Sequence, residues 1–136
     1  MKKLPLILSL LAATLFIFFG VQKFGATNPV FSIIAERSGI SLFEPVIRML
    51  TGVAEISTAI LILIPRTRLL GALAGLGVLI GAIGFHLSPW LGINVSGIGH
   101  GLFIVAVIMF VVTALLTIVL RKAGYGLLGL KAESPK

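Results

Sequence analysis

The sequence predicts an all-α integral membrane protein: a four-helix bundle with both the N-terminus and the C-terminus on the cytoplasmic side. Three observations carry this expectation. Of 136 residues, 58% are hydrophobic and 11% are charged, against about 25% charged in an average water-soluble domain; the mean hydropathy is +1.19. The apolar residues fall in four blocks, at about 4–21, 46–64, 69–87 and 101–120. Each is close to the ~20 residues that cross a hydrocarbon core about 30 Å thick. The net charge of +7 sits mainly at the ends of these blocks, where it sets topology, so nucleic-acid binding is not expected.

The first block follows Met1-Lys2-Lys3 and has Ser9 and Thr14 as its polar members. A basic start before an apolar stretch also describes a signal peptide. A cleavage site, however, needs small residues one and three positions before the cut, and the candidate after Ala26 has Phe24 at the third. A retained first helix is the expectation. Asn28-Pro29 then reads as a helix start, with Asn as cap and Pro in the first turn, and Gly39 as its stop. The segment 29–38 between them carries Val30, Ile33, Ile34 and Arg37 at helical spacing, as in a short interfacial helix on the outer surface. Ser41 and Glu44 have the spacing of a capping box opening the second span just before Pro45. Pro65-Arg66-Thr67-Arg68 forces a tight reversal into the third span. Ser88-Pro89 and the glycines of the 88–100 loop signal turns, and Trp90 suits the membrane interface. The tail 121–136 is expected to fray or lie on the surface.

Orientation follows from lysine and arginine in short loops. Lys2, Lys3, Arg66, Arg68, Arg121, Lys122, Lys131 and Lys136 fall on one side, and Lys23, Arg37 and Arg48 on the other, eight against three. The first side is therefore the cytoplasmic one.

In lipid, helices associate through close backbone approach and polar contacts, because apolar side chains gain little by leaving apolar tails. The third span has Gly71 and Gly75, then Gly77, Gly81 and Gly84, at small-xxx-small spacing on more than one face. This predicts a central, packed helix, or alternatively the face of a homo-oligomer.

Charge within a span is costly, by roughly 2.5 kcal/mol or more, so Glu55 near the middle of the second span is the informative residue. Arg48, Thr51, Gly52, Glu55, Thr58 and Ala59 are related by steps of three and four and form one polar-to-small stripe. Chain direction brings Gln22, Lys23, Arg48, His86 and His100 to the outer end of the bundle, with Glu55 beneath them. One reading is a structural ion pair of Glu55 with Lys23 or Arg48. The other is a polar pocket, open outward, that binds a small molecule or passes protons. His86 and His100 from neighbouring helices invite haem ligation, or a metal site with Glu55. Interfacial structural histidines are the preferred reading, so haem is disfavoured and no metal site is assigned. The absence of cysteine rules out disulfide, thiolate and iron–sulfur chemistry on this chain alone. Gly75-x-Gly77 lies within a span rather than after a strand, so it is no dinucleotide fingerprint.

FFGVQKF at the end of the first span, and RMLTGVAEISTAILILIPRTRLLGALAGLGVLIGAIGFHL across the second and third, resemble the DoxX and DoxX-like family of small bacterial membrane proteins. The likeness covers about residues 10–90. Its markers, in order, are Gly20, Lys23, Gly52, Glu55, Arg68, Gly71 and His86. The resemblance implies a four-helix bundle in the bacterial cytoplasmic (inner) membrane, with Lys23, Glu55 and His86 as site candidates. Some relatives are subunits linked to quinone reduction, sulfur oxidation or oxidative stress. The expectation is thus an accessory subunit beside a redox-enzyme partner, with quinone as the cofactor the likeness suggests. Two alternatives stand beside it: a small-molecule binding or transport protein using the outer pocket, and an enzyme acting on a lipid-soluble substrate.

Overall fold

The computed structural model describes residues 3–26 and 28–130. Lys2, Lys131 and Lys136 of the charge count lie outside these residues, as does the end of the tail. Five helices form in order: α1 (Leu4–Gln22), α2 (Pro29–Ser38), α3 (Val46–Leu63), α4 (Arg68–Leu87) and α5 (Gly101–Lys122). Short 3-10 turns at Ser41–Phe43 and Pro65–Thr67 precede α3 and α4, and β1 (Tyr125–Gly126) pairs antiparallel with β2 (Gly129–Leu130).

α1, α3, α4 and α5 are long and apolar enough to cross a membrane, with windows of mean hydropathy from 1.8 to 3.1. Their outward faces agree. Leu6, Leu10 and Phe18 on α1, Val53 and Ile60 on α3, Ile80 and Leu87 on α4, and Ile104, Ile108 and Val111 on α5 are all exposed. A water-soluble monomer rarely leaves contiguous apolar surface of this extent, whereas a lipid-facing surface requires it. The chain is a multi-pass membrane protein.

α1 packs on α3 and α5, and α4 packs on α3 and α5, so each long helix touches two others. The centre is filled by Ala12, Ala13 and Phe16 from α1, Ala59 and Ile62 from α3, Leu69, Ala72 and Leu79 from α4, and Met109, Leu116 and Leu120 from α5. Small residues let the backbones approach. A Cβ on Gly71 would stand 2.7 Å from Ile62 N and 2.8 Å from Leu61 Cβ, and one on Gly75 would stand 2.8 Å from Phe16 Cζ. Gly77, Gly81 and Gly84 differ from the expectation, because a Cβ at any of them meets nothing within 4 Å. They lie on the outward flank of α4 and make no close helix contact within the chain.

Carbonyls at and beyond a helix's C-terminal end have no partner within the helix and are satisfied from outside it. Two arginines do this. Arg48, 1% exposed, donates from Nη1 to the carbonyls of Lys23 (2.5 Å) and Gly25 (2.7 Å), and from Nη2 to that of Ala26 (3.3 Å). It thereby holds the chain segment that follows α1. Arg68, also buried, donates from Nε to Ile62 O (2.8 Å) and from Nη2 to Leu63 O (3.3 Å), and so seals the end of α3.

The expected capping box at Ser41 and Glu44 does not form. α3 begins at Val46 behind Pro45 with no side-chain cap. Glu44 turns instead to Arg48, whose Nε and Nη2 lie 2.7 and 2.6 Å from its Oε1. A buried guanidinium needs a counter-charge more than a helix start, already eased by a proline, needs a cap.

α2 starts as expected: Asn28 Oδ1 accepts from Val30 N (3.0 Å) and Phe31 N (3.4 Å), and Gly39 ends it with φ +74°. One face of α2 packs inward, with Phe31 and Ile34 buried in a second apolar cluster with Phe43, Leu91 and Val95. Arg37 Nη1 donates to Trp90 O (3.2 Å), which ties α2 to the 88–100 loop. At the opposite end the β1–β2 hairpin packs against the Pro65–Thr67 turn, and Tyr125 packs on the central core. Residues 125–130 are therefore docked rather than frayed.

Candidate functional site

The central core fills only one half of the space between the long helices. In the other half, beneath α2 and the 88–100 loop, lies a cavity of about 560 Å³, within the 300–1,000 Å³ typical of small-molecule sites. It exists because α1, α3, α4 and α5 present Phe19, Thr51, Ala54, Ala82, Val105 and Ala106 there, side chains too small or too few to close the gap. α2 roofs it with Phe31 and Ile34, and Leu91 and Ile98 complete the rim.

Apart from Asn28, which caps α2, and Thr51, which bonds Ile47 O in its own helix, four polar side chains interrupt this apolar lining: Gln22 and Lys23 from the end of α1, Glu55 from α3 and His86 from α4. Chain direction explains the meeting: α1 and α4 end where α3 and α5 begin. Gly20 and Gly52 bring α1 and α3 together, as a Cβ on Gly20 would stand 3.2 Å from Glu55 Cβ and one on Gly52 3.0 Å from Lys23 Cβ. The close approach carries Lys23 Nζ to 2.8 Å from Glu55 Oε2. Lys23 Nζ also donates to Phe19 O at 3.2 Å. Of the two cations expected near Glu55, Lys23 is therefore the partner. Glu55 remains a lining residue of the cavity while paired.

His86 is buried, and its Nδ1 lies 3.0 Å from Gly92 O. A carbonyl only accepts, so Nδ1 carries the proton. The bond fixes the ring's orientation and leaves Nε2 as the nitrogen with no partner among the described residues; in the neutral ring it is an acceptor. Phe103 packs against the imidazole, with ring centroids 5.7 Å apart.

Two expected members are elsewhere. Arg48 lies close by but is consumed by Glu44 and the α1 carbonyls, and it does not line the cavity. His100 is exposed at the start of α5, outside the cavity. The two histidines therefore do not share a site. No group of three potential metal-ligating side chains occurs among the described residues. Ionisable lining groups therefore come from α1, α3 and α4, while α5 lines the cavity with Leu102, Val105, Ala106 and Met109 only.

The apolar bulk of the lining was not read from the sequence. Its residues, such as Ile47, Ala82 and Val105, look like any others in a span. The Glu44–Arg48 pair did carry a signal, acid and base four residues apart.

Chemically, the arrangement offers an apolar chamber with one polar end: a neutralised ion pair, an amide and an oriented imidazole. It can hold an apolar molecule by a single polar group and exchange a proton with it. The chain matches none of the family models, curated proteins or solved structures with which it was compared.

Proposed function

We propose that the protein is a small-molecule-binding protein of the bacterial cytoplasmic membrane, acting as an accessory subunit beside a quinone-linked or oxidative-stress redox enzyme. In this reading the four long helices are a bundle with both ends cytoplasmic, and α2 and the 88–100 loop cap its outer end. The observation that carries the binding role is the cavity itself. About 560 Å³ of space is left open beside a well-packed core, and it converges on Lys23, Glu55 and His86. A protein selected only for stability fills such space, since each void costs contact energy. The redox link is supported by the resemblance to DoxX-like proteins at Gly20, Lys23, Gly52, Glu55, Arg68, Gly71 and His86. A lipid-soluble quinone is the corresponding ligand. The chain offers no redox motif of its own, so a partner would supply the electron-transfer cofactor.

Transport through one copy is not favoured. Phe16, packed on Gly75, and the buried Ala59, Ile62 and Leu69 close the space beyond the cavity. Enzymatic proton transfer by Glu55 and His86 is the second reading, favoured by the unpartnered His86 Nε2.

Purification from native membranes in mild detergent, followed by mass spectrometry of proteins and extracted lipids, tests the proposal. Expected are a co-purifying oxidoreductase and a quinone present in the wild type and depleted in His86→Phe. A wild-type preparation free of both refutes the redox assignment.

A further inference from the structure

The cavity has an opening that its polar end does not explain. Seven lining residues are also exposed: Gln22, Pro29 and Ile98 at the end under α2 and the 88–100 loop, and, away from that end, Leu50 and Ala54 on α3 and Gly77 and Gly81 on α4. Leu50 is 62% exposed, and a Cβ on either glycine would meet nothing within 4 Å. α3 and α4 touch closely near their connecting turn, at Leu61, Ile62 and Gly71, whereas Gly77 and Gly81 make no such approach. Gly81 and Gly77 lie six and ten residues before the end of α4 at Leu87, about 9 and 15 Å along the axis at 1.5 Å per residue. The gap is thus set at hydrocarbon depth and faces lipid rather than water.

We propose that the cavity is loaded sideways from the bilayer, through the gap between the N-terminal half of α3 and the C-terminal half of α4, by an uncharged amphiphile whose hydroxyl group donates to His86 Nε2. This rests on the reading of the cavity as a binding site. The uncharged head group follows from the polar end. Lys23 and Glu55 neutralise each other at 2.8 Å, so neither an anionic nor a cationic head finds an unpaired opposite charge. The hydroxyl follows from His86: with Nδ1–H committed to Gly92 O, the free nitrogen of the neutral ring accepts. The apolar body follows from the remaining lining and from the entrance.

The test uses the full chain in phosphatidylcholine vesicles and a diazirine-bearing dodecanol as probe, with labelled peptides read by mass spectrometry. The wild type is expected to label at Met109, Phe85 or Leu91 inside the cavity. Gly77→Leu/Gly81→Leu, which places side chains in the gap on Cβ atoms that meet nothing within 4 Å, is expected to cut that labelling roughly tenfold or more. Leu50→Trp closes the same gap from α3 and serves if the glycine variant does not fold. Gly84→Leu, equally open but outside the lining, is expected to label as the wild type. His86→Phe is expected to weaken labelling by the alcohol roughly tenfold and to leave labelling by the corresponding diazirine alkane unchanged. Undiminished cavity labelling in both gap variants overturns lateral entry while leaving the binding site standing. Equal alcohol labelling in His86→Phe overturns the head-group assignment. Labels confined to lipid-facing residues such as Ile104 and Ile108 in the wild type overturn this inference and the binding reading together.

Discussion

Lys23 and Glu55 form an ion pair whose side chains are 13% and 9% exposed, so each has given up most of its solvation for the other. Breaking such a pair costs more than removing it, because the survivor is left charged and unpaired. Lys23→Met is therefore expected to destabilise the protein by about 3 kcal/mol, and Lys23→Met/Glu55→Gln by much less. Reversible unfolding in mixed micelles measures both, and a double variant as unstable as the single would show that the pair is not coupled. At the same scale, Glu55→Gln in the otherwise native chain separates structure from function. Unchanged folding together with unchanged ligand content would leave the carboxylate without a functional part. The meeting of these two residues was legible in the sequence, since a charge in the middle of a span needs a partner and chain direction leaves few. The role of Arg48 was not. Nothing in its spacing says that three backbone carbonyls of another helix end in its reach, and Glu44 fits a capping box and an ion pair equally well.

At the level of elements, Arg48 and Arg68 act as staples on helix ends. Arg48→Met removes donors to Lys23, Gly25 and Ala26, and the expected result is fraying of the end of α1. Hydrogen exchange should accelerate at residues 20–26 and stay unchanged in α5. Arg48→Lys is not expected to restore protection, because one ammonium cannot reproduce the planar fork. The glycines of α4 divide in the same structural terms. Gly71→Ala drives a methyl to 2.7 Å from Ile62 N, where backbone cannot step aside, and should cost about 1–3 kcal/mol. Gly84→Ala meets nothing and should be neutral or slightly stabilising through helix propensity. Sequence spacing proposed all five glycines as packing residues. Spacing reveals that a stripe exists but not which stripe finds a neighbour, and within the chain only Gly71 and Gly75 do. The four long helices were legible because bilayer thickness imposes a length that composition then displays. The docked hairpin at 125–130 was not, as four residues of strand leave no periodicity.

The molecule as a whole is asymmetric. One half between the helices is filled by side chains from Phe16 to Leu120, and the other is left open toward α2. The absence of cysteine makes the proposed orientation directly testable. Single cysteines at Ser38 and Ser96 are expected to react with an impermeant maleimide added to intact cells, and one at Arg66 only after the membrane is opened. The reverse pattern would invert the topology and place the cavity at the inner surface. Occupancy of the cavity is read by native mass spectrometry of the protein eluted from its own membranes. The comparison is the wild type against Ala106→Trp, which fills the cavity from α5. A non-covalent small-molecule adduct is expected on the wild type and none on a folded Ala106→Trp; a bare wild type, or the same adduct on both, would overturn the binding role.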